Sequence, residues 1–367
     1  MFEKELDAIK RAGLYRERKI FSDKLKDFAS NDYLGLSQNK KLLKKAYKLL
    51  LCQTHHSPKA SMIVNGYCSL HKELENYLCS LNGFKDGIVL GSGFLANIAL
   101  FDAFVRKNDK IYIDEKYHAS GLYAAKMLGD RAIFFKHNDP EDLNNLLESS
   151  PPKGRIIIAI EGVYSMDGDI ADKRFSEIAI NKNAILIVDE AHSSGSIGTN
   201  LLGYFDYHNI PICQNFIKMG TLSKAYGSYG AYILGDTETI EFLCNRGKSV
   251  IYTTALSIFD TTLALINLKY IQRNKKTLKD KIHSLQAMVK KILQTPLQSQ
   301  ILVVRYKNTK DMQRTHKELQ KNGFLVGAIR KPTVQEPILR ITLRTKNSLK
   351  QTKKLCKIIK KSEGQIC

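Results

Sequence analysis

Short apolar runs alternate with helical stretches between residues 87 and 221, and this alternation limits the fold more than any other feature. Each run is rich in β-branched or aromatic residues and lacks the polar alternation of a strand with one wet face. Strands that are buried on both faces are typical of parallel sheets covered by helices. We therefore predict an α/β protein with a mostly parallel sheet. The runs begin at Gly87, Lys110, Arg131, Arg155, Ala184 and Asn215.

The pattern changes in the last third of the chain. A long helix is predicted over Leu256–Gln272, and a Lys-rich stretch follows it. Strand-like runs at 301–305 and 338–343, with a helix between them, indicate a smaller α+β domain with an antiparallel sheet. Residues 1–20 interleave charges with apolar side chains, as in a helix that faces solvent. The predicted domains are an N-terminal arm at 1–35, a large domain at 36–250 and a small C-terminal domain at 251–367.

Basic side chains are concentrated in the small domain. The 367 residues carry a formal charge of +21, and residues 251–367 hold 25 Lys and Arg against 6 Asp and Glu. Such an excess favours an anionic partner, either nucleic acid or an anionic substrate. Nucleic-acid binders add stacking aromatics, yet residues 301–367 contain only Tyr306 and Phe324. A basic nucleic-acid-binding protein is therefore the remote alternative, and we expect no nucleic-acid partner.

The cysteines and the apolar windows argue against other classes of protein. The seven cysteines form no C-x-x-C pair and no zinc spacing, so we expect reduced thiols and no metal site. The N-terminus mixes both charge signs and lacks the apolar stretch of a signal peptide. The window Gly87–Val105 is interrupted by glycines and polar residues, and it fits a buried strand and helix better than a membrane span. We expect a cytoplasmic protein with no membrane partner.

Polar residues follow three of the apolar runs, at the sheet edge where α/β proteins bind ligands. Gly91-Ser-Gly-Phe-Leu-Ala forms a glycine turn that leads into a helix, and such a turn binds a phosphate group. The phosphate could belong to a dinucleotide, whose ribose Asp114 would bind, or to another ligand. Asp189 could bind a cationic ring nitrogen, with His192 three residues later binding a second polar group of the same ring. Alternatively, Asp189 could cap the turn that follows the strand. Lys224 is either a solvated side chain or a Schiff-base lysine.

The three groups together favour one cofactor. Pyridoxal phosphate requires three binding groups in a protein. Here the glycine turn and Thr221 would bind its phosphate, Asp189 its pyridinium nitrogen, and Lys224 would form the imine. Each part alone has a structural explanation. Their combination is the reason for preferring this cofactor to a dinucleotide.

Five motifs stand in a characteristic order along the chain. They are Asn31-Asp-Tyr-Leu-Gly-Leu, His118-Ala-Ser, Glu161-Gly-Val-Tyr-Ser-Met-Asp-Gly-Asp, Val188-Asp-Glu-Ala-His and Thr221-Leu-Ser-Lys-Ala-Tyr-Gly. In this order and spacing the chain resembles the α-oxoamine synthases, fold-type I pyridoxal phosphate enzymes that join an amino acid to an acyl thioester. The resemblance runs from about Leu6 to beyond Thr345. It implies a seven-stranded, mostly parallel sheet in a large cofactor domain, a smaller α+β domain and a homodimer.

The resemblance implies a role for each cofactor residue. Lys224 would bind pyridoxal phosphate covalently and, once released, remove the Cα proton of the substrate. Asp189 would keep the pyridine nitrogen protonated, and His192 with Ser165 would contact the phenolic oxygen. His118 would stack on the ring and help to orient the acyl substrate. The phosphate would be held by Ser92, Gly93, Phe94 and Thr221.

Five further residues match family positions that contact or adjoin substrate. Arg340 would grip the carboxylate of the amino acid, although a surface arginine in a strand is the alternative. Arg16 and Thr333 would contact the acyl substrate. Asn31 and Glu161 would position its carbonyl group rather than carry protons.

The segment Ala328-Ile-Arg-Lys-Pro-Thr-Val resembles one branch of the family, which condenses L-alanine with a pimeloyl thioester in biotin biosynthesis. The thioester carrier would be CoA or an acyl carrier protein. Glycine C-acetyltransferase, whose branch usually lacks this segment, is the alternative. The basic small domain would then attract the anionic thioester, and lysines that merely decorate a solvated face are the other explanation.

One loop departs from the family pattern. Ser57-Pro-Lys-Ala-Ser-Met stands where relatives have a glycine-rich loop. Pro58 fixes its own φ angle and Lys59 adds bulk, so this loop cannot adopt all the same backbone angles.

Overall fold

The structure is a computed structural model that describes residues 1–362 and 364–366. The strands are β1 (Lys26–Phe28), β2 (Asp86–Leu90), β3 (Lys110–Asp114), β4 (Ala132–Phe135), β5 (Ile156–Glu161), β6 (Ile185–Asp189), β7 (Phe216–Thr221), β8 (Ala231–Gly235), β9 (Ile301–Arg305), β10 (Phe324–Ile329), β11 (Ile338–Thr342) and β12 (Gln365–Ile366). The α-helices are α1 (Glu3–Arg11), α2 (Lys40–Leu51), α3 (Ser69–Asn82), α4 (Gly93–Phe104), α5 (Ala119–Lys126), α6 (Pro140–Ser149), α7 (Arg174–Asn181), α8 (Tyr204–His208), α9 (Thr237–Arg246), α10 (Lys248–Ile251), α11 (Ile258–Leu293), α12 (Thr309–Lys321) and α13 (Leu349–Lys360). Short 3-10 or π turns occupy Leu36–Gln38, Met62–Gly66 and Gly129–Arg131.

The chain packs into two compact units. The large unit comprises residues 31–165 and 169–280, and the small unit comprises 1–30, 166–168 and the described residues from 281 onward. The domain bounds at residues 35 and 250 rest on sequence pattern rather than on packing, and they stay a prediction.

The large unit is built on a seven-stranded sheet in the order β2-β8-β7-β6-β5-β3-β4. All neighbours are parallel except at β8, which runs antiparallel to both β2 and β7. The six apolar runs correspond to β2 through β7. β8 is the additional strand, and the mostly parallel α/β architecture is confirmed.

Helix α4 explains why the sheet is buried. Its side chains are almost all apolar, and Leu100 and Phe101 are fully buried against core residues of the strands, such as Ile187 and Met219. The apolar window Gly87–Val105 is therefore β2 followed by α4, as the sequence predicts. In the described part of the chain, no helix is both long and apolar enough to cross a membrane.

The small unit contains a five-stranded sheet in the order β1-β10-β11-β9-β12. The C-terminal strands pair antiparallel, as predicted, but β1 joins β10 in parallel. Residues from both ends of the chain share its core, among them Phe28, Leu302, Leu339 and Leu355. Helix α1 buries no residue, which agrees with a solvent-facing N-terminal helix.

The long predicted helix is longer than the sequence pattern suggested. α11 has 36 residues and absorbs the Lys-rich stretch after Gln272. Leu278, Ile282, Leu285 and Val289 recur every three or four positions and are all buried. A continuous apolar stripe, with helix-favouring lysines around it, therefore extends the helix.

Candidate active site

A pocket of about 180 Å³ opens at the carboxyl ends of the parallel strands in the large unit. Glu161 ends β5, Asp189 ends β6 and Thr221 ends β7, and the sheet register places Glu161 directly beside Asp189. Eight predicted site residues line this pocket, although they span more than a hundred positions in sequence. They are Gly93, Phe94, His118, Glu161, Asp189, His192, Thr221 and Lys224.

Asp189 is buried and held in a fixed orientation. Its Oδ2 accepts a hydrogen bond from Asn97 Nδ2 at 3.0 Å, and its Oδ1 accepts one from the backbone N–H of Ala191 at 3.0 Å. Neither partner carries a charge, so the carboxylate is oriented without being neutralised. It can therefore bind a cationic group in the pocket.

Lys224, His192 and Tyr33 form a chain of side-chain contacts at the pocket. The half-buried Lys224 places Nζ 2.8 Å from His192 Nε2, and His192 Nδ1 lies 2.6 Å from the hydroxyl oxygen of Tyr33. When Lys224 is protonated it donates to Nε2, so the imidazole proton is on Nδ1 and donates to the hydroxyl oxygen of Tyr33. The imidazole is thus fixed at both nitrogens.

His118 caps the N-terminus of α5 from the pocket wall. Its Nδ1 lies 2.7 Å from Ser120 Oγ, and Ser120 Oγ in turn accepts from Asn97 Nδ2 at 2.8 Å. The same amide group therefore connects His118, through Ser120, to Asp189. This network fixes the orientation of the imidazole in the pocket.

Glu161 is a buried carboxyl group with unused hydrogen-bonding capacity. Its Oε2 accepts from the backbone N–H of Ser165 at 2.9 Å, whereas Oε1 is buried with no hydrogen-bond partner among the described residues. Burial, and then the neighbouring Asp189 carboxylate, raise the pKa of Glu161 well above its ordinary value. A protonated Glu161 can donate a hydrogen bond from Oε1 to a ligand.

The N-terminus of α4 forms a cradle for an anion. Ser92 is the N-cap, and its Oγ accepts from the backbone N–H of Leu95 at 3.2 Å. A Cβ atom on Gly93 would lie 2.9 Å from Thr221 Cγ2, so only glycine allows the two segments to approach this closely. The helix dipole, the free N–H groups of the first turn and the Thr221 hydroxyl together suit a phosphate.

Six predicted residues are not among those that line the pocket, and one of them, Ser92, is the N-cap of α4 beside it. Asn31 and Ser165 belong to the large unit. The other three belong to the small unit, where Arg340 is buried in β11 and donates from Nη1 to Thr342 Oγ1 at 3.3 Å. Thr333 and Arg16 are exposed.

The sequence analysis missed three polar residues at the site: Tyr33, Asn97 and Ser120. Asn97 is fully buried in an otherwise apolar helix, and a lone amide in such a helix is a recognisable sign of a buried polar contact. Tyr33 and Ser120 lie within or directly beside motifs that already marked the site. Their side-chain partners could not be read from the motifs.

Comparisons with known proteins give the family. A family model described as aminotransferase class I and II matches residues 23–359. The 8-amino-7-oxononanoate synthase of Helicobacter pylori is 48% identical over 356 residues, which cover 97% of this chain and 95% of that protein.

Solved structures share the fold over most of the chain. Serine palmitoyltransferase of Sphingomonas wittichii superposes with a TM-score of 0.87 at 22% identity, covering 97% of this chain and 96% of that one. The 8-amino-7-oxononanoate synthase of Francisella tularensis has a TM-score of 0.76 at 26% identity, covering 93% and 98%. The fold-type I architecture is confirmed, and the chain belongs to the aminotransferase class I and II family.

Proposed function

We propose that this chain is a pyridoxal phosphate-dependent acyltransferase that condenses L-alanine with a pimeloyl thioester. The products are 8-amino-7-oxononanoate, CO2 and the free thiol of the carrier, and the reaction belongs to biotin biosynthesis. One observation carries the proposal: Lys224, Asp189 and the α4 cradle meet in one pocket, in a chain 48% identical to an 8-amino-7-oxononanoate synthase.

The residues of the pocket fit pyridoxal phosphate. The first turn of α4, at Ser92, Gly93 and Phe94, would hold the phosphate together with the Thr221 hydroxyl. The ring nitrogen would be held by Asp189, the ring face by His118, and the phenolic oxygen by His192 with Ser165. Lys224 would be the covalent attachment point. The close approach of Gly93 to Thr221 and the oriented Asp189 carboxylate are what support this fit.

When bound, the cofactor supplies an electron-accepting ring that stabilises negative charge on the substrate Cα. The oriented carboxylate of Asp189 would keep the ring nitrogen protonated. Nζ of Lys224, when it is not bound to the cofactor, would accept the Cα proton of the substrate. His192 orients this amine through the contact of 2.8 Å and is itself oriented by Tyr33.

The substrates would be bound by the remaining predicted residues. Arg340 would form a bidentate pair with the alanine carboxylate. Arg16 and Thr333 would contact the acyl chain, and Asn31 with Glu161 would position its carbonyl oxygen. The raised pKa of Glu161 supports its role as a hydrogen-bond donor to that oxygen. We also propose that the protein is a cytoplasmic homodimer.

Cofactor loading tests the first half of the proposal. The purified protein, incubated with pyridoxal phosphate, should become yellow, and borohydride should abolish the absorbance by fixing the cofactor to the chain. Lys224→Ala should lose at least about a thousandfold in kcat and show no borohydride-fixed cofactor, because no other amine lines the pocket among the described residues. A wild-type protein that stays colourless contradicts the proposal.

Substrate comparison tests the second half. L-alanine with pimeloyl-CoA or pimeloyl carrier protein should give CO2 and the amino ketone. Glycine with acetyl-CoA should be turned over much more slowly. A preference for glycine and acetyl-CoA would instead assign the chain to glycine C-acetyltransferase.

A further inference from the structure

A lysine and a glutamate are buried together beside the catalytic pocket, and the proposed mechanism uses neither. Lys218 lies in the middle of β7, and its side chain is 1% exposed. Glu190 follows β6 directly and is fully buried. Lys218 Nζ lies 3.4 Å from Glu190 Oε1. Because two ions lose their hydration at such a site, a central strand would ordinarily carry an apolar residue there.

Both side chains lie on the face of the sheet opposite the pocket. Asp189 and Met219 line the pocket and are paired in the β6–β7 register. Side chains alternate between the two faces along a strand, so the neighbouring Lys218 points to the other face. Its contact with Glu190 places that side chain on the same face. The ion pair therefore joins the two strands directly behind the row that presents Asp189.

The ion pair also holds both ends of the loop between β6 and α8, residues 191–203. Lys218 Nζ donates a hydrogen bond to the carbonyl oxygen of Leu202, near the end of the loop. Glu190 Oε2 accepts one from the backbone N–H of Tyr204 at 2.7 Å, directly after the loop. The loop follows Glu190 directly, so its two ends meet at one buried pair of charges.

The loop is shaped around the carboxylate and carries a residue of the site. Ser193 Oγ donates to Glu190 Oε2, and a Cβ atom on Gly203, whose φ is +98°, would lie 1.7 Å from the same oxygen. The backbone could not pass so close to the carboxylate with any larger residue. Within this loop, His192 contacts Lys224 Nζ at 2.8 Å.

We propose that Glu190 and Lys218 are positioning residues for the catalytic pocket: acting from the opposite face of the sheet, their ion pair fixes the β6–α8 loop and so holds His192 against Lys224. The inference rests on the proposed function, in which Lys224 binds the cofactor. Removing one partner leaves the other charge buried and uncompensated, whereas removing both leaves no buried charge. This difference separates positioning from stability in an experiment.

The first variant is Lys218→Met, which keeps an unbranched side chain one heavy atom shorter and removes the charge. In the holoenzyme we expect kcat to fall about tenfold or more while KM for alanine changes less than about twofold, because the loop moves and the alanine carboxylate site does not. In the protein without cofactor, hydrogen exchange of the amides in residues 191–203 should become faster. Unchanged exchange in this loop together with unchanged kcat would overturn the proposal.

The second variant, Lys218→Met with Glu190→Gln, separates the two roles and covers the case in which the single variant does not fold. Removing the unpaired charge of Glu190 should recover most of the decrease in Tm that the single variant causes. Leu202 still lacks its donor, so kcat should stay low and the exchange of residues 191–203 should stay fast. A kcat that recovers together with the Tm would reduce the pair to a purely stabilising contact and refute the positioning role.

Arg155→Met is the matched control, because it breaks another ion pair of the same unit away from the loop. Arg155 Nη2 lies 2.8 Å from Asp109 Oδ2, just before the amino ends of β5 and β3. This variant should lower the Tm but leave kcat and the exchange of residues 191–203 unchanged. A wild-type protein that binds no cofactor would refute the proposed function, while the exchange measurements would still decide whether the pair fixes the loop.

Discussion

Asn97 joins two polar residues of the pocket, Asp189 and Ser120, through its side-chain amide. It is fully buried, donates to both Asp189 and Ser120, and accepts at Oδ1 from the hydroxyl of Tyr117 at 2.8 Å. An amide has two donor hydrogens and one acceptor oxygen, and all of these are used here. The orientation of the Asp189 carboxylate therefore depends on Asn97.

We expect Asn97→Leu to weaken cofactor binding about tenfold or more, because Asp189 loses its side-chain donor and the buried Tyr117 hydroxyl loses its acceptor. An absorbance titration of the protein with pyridoxal phosphate measures the effect. Asn245→Leu is the control, since the exposed Asn245 donates to the Glu241 carbonyl oxygen within α9 and does not line the pocket. Equal affinities of wild type and Asn97→Leu would contradict this role.

Single residues differ in how far the sequence reveals them. Lys224, Asp189 and His118 each sit in a local motif, and the combination and order of these motifs along the chain made the three residues recognisable. Asn97 and Tyr33 act through partners 92 and 159 positions away in the chain. Such contacts exist only after the strands are ordered into a sheet, so the local pattern could not predict them.

Helix α3 is joined to strand β2 by a buried carboxyl group, that of Glu75, at a position where an apolar side chain would be usual. Glu75 on α3 is 2% exposed, and its Oε1 accepts from the backbone N–H of Val89 on β2 at 3.0 Å. The hydroxyl of Tyr67 donates to its other oxygen. Burial raises the pKa of Glu75 to about 7, although these hydrogen bonds act in the opposite direction.

This contact makes the attachment of α3 sensitive to pH. Because the folded pKa of Glu75 lies above the ordinary value of 4.5, its favourable contribution is complete below that value and is lost as the pH rises through about 7. Between pH 5 and 8, the free energy of unfolding of the wild type should fall by about 3 kcal/mol relative to Glu75→Gln. Urea titrations across this range test it, and parallel pH profiles would contradict it.

At the level of elements, the positions of the apolar strands were easier to predict than the direction of each strand or the end of each helix. The runs of β2 to β7 were visible because each is apolar, and all of them except the edge strand β4 are buried on both faces. β8 is a short run directly after a glycine-rich stretch, and its antiparallel direction leaves no trace in the side-chain pattern. The end of α11 was hidden because its lysines resemble a solvated linker until the buried residues among them are counted on a helix.

For the molecule as a whole, the basic charge has one well-defined location in the small unit. Residues 337–362 contain no acidic side chain. Helix α13 packs Leu355, Cys356 and Ile359 into the core, so its apolar face is not available for a membrane or a partner. Its exposed lysines form no ion pair with any residue that the structure describes. They are Lys350, Lys353, Lys354, Lys357 and Lys360.

If this face attracts the thioester carrier, neutralising it should discriminate between carriers. Changing Lys353, Lys354 and Lys357 to Gln should lower kcat/KM for pimeloyl carrier protein about tenfold at low ionic strength, and less for pimeloyl-CoA, because the acidic protein presents the larger complementary surface. The control places the same change on the exposed Lys41, Lys44 and Lys45 of α2. Equal losses for both carriers would contradict a docking role for α13.

The parallel pairing of β1 with β10 also sets the order in which the protein can be completed during its synthesis. Lys26 on β1 pairs with Phe324 on β10, whereas all strands of the large sheet lie between Asp86 and Gly235. A ribosome therefore releases every strand of the large sheet before β10 exists. The N-terminal segment is made first, but its strand partner β10 is made near the end of synthesis. The large unit can therefore fold before the C-terminal part of the small unit has been synthesised.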